Sequence, residues 1–159
     1  MTNAQPLSNV SDRAAEKTAG PGDVDSRPTI LVVDDNGDVR FMLRFLLEAR
    51  GYRMLEAEDG LEAVETARSS RPNLILIDVS LPRLDGLSAT RRIRADAGLR
   101  TTPIVAVSGH AATEDRDKAL AAGCDGYITK PINFEELFRL INGLLSTQQI
   151  PARLESIGQ

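Results

Sequence analysis

The chain has 159 residues, which at about 150 residues per domain is one domain with some surplus, and a chain of that size buries about two thirds of its unfolded surface, enough for a core without staples. Its 42% hydrophobic and 26% charged residues are those of a globular protein, and 19 basic against 23 acidic side chains, a net charge of −4, provide no basic field for nucleic acid. One cysteine, Cys124, and one histidine, His110, exclude an internal disulfide and a structural zinc site, while the lack of any apolar run near ~20 residues and of a signal-peptide core makes the cytoplasm the expected compartment, with no membrane insertion.

Residues 1–28 mix small polar residues with Gly20-Pro21-Gly22 and Arg27-Pro28, without apolar period, and are expected to be a disordered arm. Ile30-Leu31-Val32-Val33 then forms an unbroken aliphatic run suited to a strand buried on both faces. Val39, Met42, Leu43 and Leu46 recur at helical spacing and stop at Gly51, a C-terminal cap. Tyr52–Glu56 is a more polar strand nearer a sheet edge, and Asp59 with Glu62 is a capping box that opens a second helix. Leu74-Ile75-Leu76-Ile77 repeats the buried-strand signature, a helix follows over Leu87–Ala97, and Ile104-Val105-Ala106-Val107 repeats it again. Ala111–Ala122 is a helix short of apolar bulk and closed by Gly123; Gly126–Thr129 is a second edge strand. Asn133 with Glu136 caps a last helix whose stripe is Phe134, Leu137, Phe138, Ile141, Leu144 and Leu145, so that one domain over 29–146 is followed by a short polar tail, 147–159, containing Pro151.

Five strands alternating with five helices predict an α/β fold with a parallel sheet covered on both faces, because parallel strands need crossovers and helices usually supply them. The active crevice of such a sheet lies beyond the carboxyl ends of its strands. Those ends carry Asp34 and Asp35, Asp78, Ser108 and Lys130. Two carboxylates ~4 Å apart repel by about 4 kcal/mol at an effective dielectric near 20, so three cannot all stay ionised without counter-charge. Raised pKa values are one answer and a divalent cation is the other. Lys130 supplies one positive charge, and Mg2+, which binds through one or two carboxylates and shares phosphate oxygens, is the natural candidate for the rest. Metal, lysine, hydroxyl and carboxylate together make a phosphoryl-transfer constellation in which Asp78 is the nucleophile, taking the group as an aspartyl phosphate.

Four separated motifs now resemble one family in the right order: Ile30–Asn36, Asp78–Gly86, Val107-Ser108-Gly109 and Gly123–Pro131. Over about 29–146 the chain is similar to the receiver domain of two-component response regulators, in particular to single-domain, chemotaxis-like and cell-cycle phosphorelay-like regulators. The resemblance implies a flavodoxin-like, doubly wound three-layer α/β/α fold with strand order 2-1-3-4-5. It implies that Asp78 accepts phosphate from a histidine kinase or a histidine phosphotransfer protein, and that Mg2+ is held by Asp35, Asp78 and the backbone carbonyl of Ser80, with Asp34 direct or through water. It implies further that Lys130 pairs with the phosphate, that Ser108 donates its hydroxyl to it, and that Tyr127 rotates inward as the switch aromatic. The Lys130-Pro131 bond matches a position that is usually cis. The partner would meet Gly37–Leu43 and Pro131–Asn133, and the output would be binding to another protein, since no further domain is expected.

Plainer roles are open to several of these residues. Asp34 and Asp35 suit a helix cap, Asp85 with Gly86 reads as a cap rather than a ligand, Tyr127 suits an ordinary edge-strand position, and Cys124 is expected to be a small buried hydrophobe. Two rival functions remain: a haloacid-dehalogenase-like phosphatase, whose Asp-x-Asp motif neither Asp34-Asp35-Asn36 nor Asp78-Val79-Ser80 matches, and a receiver-fold scaffold that signals without phosphate, for which the full set of site residues is unneeded.

Overall fold

The three aliphatic runs form the centre of a single sheet. A computed structural model describes residues 26–157, with side chains through 147, so all but the last three residues of the expected 1–28 arm lie outside the described residues. The strands are β1 (Thr29–Val33), β2 (Arg53–Ala57), β3 (Leu74–Asp78), β4 (Ile104–Ser108) and β5 (Gly126–Thr129). All are parallel in the order β2-β1-β3-β4-β5, with Leu31 beside Leu55 and Ile75, Ile77 beside Ala106, and Ala106 beside Tyr127. This is the flavodoxin-like order. β3 and β4 are buried at every position, whereas β2 and β5, at the edges, are not, which is why their sequences are more polar.

Alternation along the buried strands divides the core in two. Leu31, Val33, Ile75, Ile77, Ile104 and Ala106 face α2 (Gly60–Ser70), α3 (Gly86–Ala95) and α4 (Thr113–Ala122), meeting Ala63, Ala67, Ala89, Ile93 and Ala119. Ile30, Val32, Leu74, Leu76, Val105 and Val107 face α1 (Gly37–Ala49) and α5 (Phe134–Ile157), meeting Leu43, Leu47, Leu137, Phe138 and Ile141. Each fully buried Leu or Ile contributes about 1.5–3 kcal/mol, so the strands that carry the site are the best-anchored part of the chain.

The helix ends follow side-chain chemistry. Asn36 caps α1, accepting from the amides of Asp38 at 2.9 Å and Val39 at 3.4 Å, and Gly51 just beyond its end has φ 91°. Asp59 caps α2 through the Glu62 amide at 2.8 Å, while the Glu62 carboxylate accepts from the amide of Glu58, one residue earlier than in the standard box. Asp85 caps α3, accepting from both the amide and the hydroxyl of Ser88, so its capping role stands. α3 ends at Ala95, sooner than its sequence suggests, and a 3-10 turn, Ala97–Leu99, follows. α4 starts at Thr113 rather than Ala111, has no side-chain cap and buries only Ala119 and Ala122. α5 carries helical backbone through Ile157, beyond residue 146 where polarity suggested a tail; extending a formed helix needs no new nucleus. Among the described residues no helix is long and apolar enough to cross a membrane.

One close approach shapes the site. A Cβ at Gly86 would lie 2.1 Å from the Asp78 carbonyl oxygen, so glycine lets α3 begin directly against the end of β3.

Candidate functional site

β1 and β3 are neighbours with Val33 beside Ile77, so the residues that follow in each strand, Asp34 and Asp78, emerge side by side. Both are buried, at 4% and 5% exposure, whereas Asp35 is exposed. One carboxylate oxygen from each of the three lies within 4.8 Å of the others, the only such acidic group among the described residues. Lys130 follows β5, two strands away, and its long side chain spans the gap: Nζ lies 2.7 Å from Asp78 Oδ2 and 3.4 Å from Asp34 Oδ2. The Lys130 amide donates to the Ser108 carbonyl at 2.8 Å, and the Lys130-Pro131 bond is cis.

Each buried carboxylate also takes a local amide. Asp34 Oδ1 accepts from Asn36 and Asp78 Oδ1 from Ser80, both at 2.9 Å. Asp34 and Asp35 therefore do not cap α1; that role falls to Asn36. The Asp35 carboxylate receives no hydrogen bond from the described residues. Burial pushes the Asp34 carboxyl above its ordinary value despite the Asn36 amide and the Lys130 charge. Burial alone would lower Lys130, but the Asp78 hydrogen bond and the charges of Asp34 and Asp78 outweigh it and push the ammonium up. Three carboxylates against one ammonium leave an excess of negative charge in a cluster of hard oxygen donors. That donor set suits a small divalent cation such as Mg2+.

Ser108 ends β4 beside this cluster, for the preceding Val107 pairs with Asp78. It is buried, and its hydroxyl accepts from the amide of His110 at 3.1 Å. The hydroxyl of half-buried Tyr127 donates to the His110 carbonyl, so the two residues expected to move together meet on one loop. Cys124 is buried beside Thr90, and burial pushes its thiol up, consistent with a packing role.

The sequence did not single out Arg40, Glu56 or Asn36. Arg40 Nη1 donates to the Asp34 carbonyl at 2.7 Å while Nε donates to Glu56 at 2.7 Å. The available signal was the pair of acids at and just past the end of β2, Glu56 and Glu58, opposite two arginines one helical turn apart, Arg40 and Arg44.

Comparison with known proteins places this geometry. The model of the response regulator receiver domain matches residues 30–142. The polar-differentiation response regulator DivK of Brucella anthropi is 37% identical over 117 residues, covering 74% of this chain and 95% of that protein. The receiver domain of the sensor histidine kinase PA1611 of Pseudomonas aeruginosa PAO1, solved with a magnesium ion coordinated in its active site cleft, superposes with a TM-score of 0.71 at 38% identity, over 76% of this chain and 99% of that one. The Vibrio cholerae chemotaxis protein CheY4 superposes with a TM-score of 0.71 at 28% identity, over 75% of this chain and 99% of that one.

Proposed function

The chain belongs to the response regulator receiver family of two-component signal transduction, and from that premise we propose that it is a phosphorylation switch whose acceptor is Asp78. The observation that carries the reading is the 2.7 Å contact of Lys130 with Asp78 inside a cluster of three carboxylates. Asp35, Asp78 and the Ser80 carbonyl would hold Mg2+, with Asp34 direct or through water; bound there, the ion supplies the positive charge that the phosphoryl oxygens and the carboxylates otherwise lack.

The chain's own groups do the rest. One Asp78 oxygen attacks phosphorus, and the bond to the donor's histidine nitrogen breaks with its electron pair leaving on that nitrogen. Lys130 keeps its charge throughout and turns from carboxylate to phosphate. Ser108, whose hydroxyl oxygen accepts from His110, has its own proton to donate to the new oxygens. Pulling that loop inward draws on Tyr127 through its bond to the His110 carbonyl, and the surface of α4, β5 and α5 changes shape. α4, which buries two alanines and lacks a side-chain cap, resists that change least.

A histidine kinase or a histidine phosphotransfer protein is the donor in this reading. An apolar groove of about 260 Å³ beside Lys130, lined by Val39, Met42, Pro131, Ile132 and Phe134, supports docking there, as do Phe41 and Phe45, exposed at 74% and 70% on α1. The downstream partner is another protein in the cytoplasm, reached as a relay intermediate or as an adaptor.

The test is incubation with acetyl phosphate and Mg2+ followed by intact mass measurement. The native chain should gain one phosphoryl group, and Asp78→Asn none. An adduct of equal yield on Asp78→Asn, or none on the native chain, refutes the assignment, and steady turnover of a generic phosphoester would favour the phosphatase instead.

A further inference from the structure

We propose that Arg40 is a positioning residue for the cation site, clamping the backbone between β1 and α1 so that Asp34 and Asp35 reach an ion together; the inference rests on the Mg2+ reading above. Arg40 carries a full charge, yet its side chain is only 13% exposed. Its guanidinium is shared among three acceptors: the Asp34 carbonyl at 2.7 Å, Glu56 Oε1 at 2.7 Å and Glu58 Oε1 at 3.2 Å. Glu56 is fixed in turn by Arg44, whose Nη2 and Nε lie 2.6 and 3.0 Å from Oε2. The C-terminal end of β2 is thus a bracket, and Arg40 is the arm that reaches from it to the loop.

The held atom matters because the peptide unit is planar. Fixing the Asp34 carbonyl fixes the peptide plane that carries the nitrogen and Cα of Asp35, and so the point from which Asp35 leaves the chain. Asp34 has further tethers through its own carboxylate, to Asn36 and Lys130, but the Asp35 carboxylate has no hydrogen bond from the described residues. Its approach to within 4.8 Å of its two acidic neighbours is therefore set by the backbone that carries it and its own two side-chain torsions, with no tether among the described residues. A rigid, forked guanidinium is the side chain suited to holding one carbonyl against two carboxylates. Glu56 and Glu58 neutralise its charge, so what the site gains is orientation and not an extra cation that would compete with the metal.

Losing a group that orients a metal ligand commonly lowers metal affinity by about 10- to 100-fold. The experiment is titration of isotope-labelled full-length protein with Mg2+, followed through amide shifts, with melting in EDTA as a separate measure of folding. Arg40→Met is expected to raise the Mg2+ dissociation constant at least tenfold. Arg44→Met, which loses the same Glu56 partner without touching the loop, should stay within about twofold of native. Arg40→Lys keeps the charge but cannot span Glu56 and the Asp34 carbonyl together, and should fall between. A native dissociation constant for Arg40→Met, or equal weakening in Arg44→Met, overturns the proposal. Should Arg40→Met fail to fold, a native constant for Arg40→Lys overturns it. A native chain that binds no Mg2+ would instead remove the functional reading itself, an outcome distinct from the other two.

Discussion

Asp35 gives the site charge and receives no hydrogen bond from the described residues, so neutralising it separates repulsion from the other described interactions in the cluster. It lies within 4.8 Å of both Asp34 and Asp78. Two unit charges at that distance repel by about 0.9 kcal/mol in bulk water and about 3.5 kcal/mol at an effective dielectric of 20. Because Asp35 is exposed, the lower figure governs, and the two pairs together, screened by salt, amount to about 1–2 kcal/mol. Asp35→Asn keeps the shape and removes that repulsion. In EDTA the variant should melt roughly 2–8 °C above native, at about 2–4 °C per kcal/mol for a domain of this size. Excess Mg2+ should reverse the order, since a ligand at a hundred times its dissociation constant adds about 2.7 kcal/mol to a protein that binds it and nothing to one that does not. The assay is thermal melting by circular dichroism in both buffers. A variant less stable than native in EDTA, or one raised by Mg2+ as much as native, would show that the cluster is not held together against its own charge.

Two further outcomes follow from the geometry around the site. The hydrogen bond from Arg44, then that from Arg40, holds the Glu56 carboxyl below the usual carboxylate range. The stability it contributes is therefore present above the ordinary value of 4.5 and disappears as pH falls through the depressed one, so Glu56→Gln should melt below native by an amount equivalent to about 1 kcal/mol at neutral pH, with the gap closing in acid. A gap that persists unchanged in acid would mean the pair is not ionised in the fold. At the apolar groove, Met42→Asp should slow phosphoryl transfer from an isolated histidine phosphotransfer domain by at least tenfold more than it slows uptake from acetyl phosphate; equal effects on the two donors would move the docking surface elsewhere.

The central strands were legible because burial on both faces demands unbroken aliphatic runs, and Ile30–Val33, Leu74–Ile77 and Ile104–Val107 have no other plausible use. Once those strands were placed in parallel, their last residues had to share one rim, which made Asp34, Asp78 and Ser108 readable without any motif. The 2.7 Å reach of Lys130 to Asp78 was not readable in that way, because it depends on β5 lying two places from β3, a matter of strand order that came from resemblance. The capping residue of α1 was ambiguous for a local reason: Asp34, Asp35 and Asn36 are adjacent side chains with like capping chemistry, and it is the hydrogen bonds that Asn36 accepts from the Asp38 and Val39 amides that assign the task to it. Arg40 was hidden by its partners, since Glu56 lies on an edge strand and Glu58 just past its end, where acids normally face water. The helical backbone past residue 146 was hidden by composition, because polarity marks where burial stops and not where a helix stops.

The distribution of packing also determines where a change at Asp78 can travel. A phosphoryl group adds ~−1.5 to −2 charges and three acceptor oxygens, which must be met by donors drawn toward β3. β1 and β3 cannot move to meet them, being buried along nearly their whole length between two cores, and α5 is pinned by Leu137, Phe138 and Ile141. What can yield is the segment from Ser108 to α4, exposed from Gly109 to Glu114 and followed by a helix that buries two alanines. Its described links to the sheet include the bond from the Lys130 amide to the Ser108 carbonyl and that from the Tyr127 hydroxyl to the His110 carbonyl. On the proposed reading, moving Ser108 toward phosphate would carry the His110 loop with it and pull on the Tyr127 bond, and the aromatic ring, half-buried on an edge strand, is placed to follow. On that same reading, the sparse packing that made α4 look like a weak helix would make it the element through which phosphorylation is read.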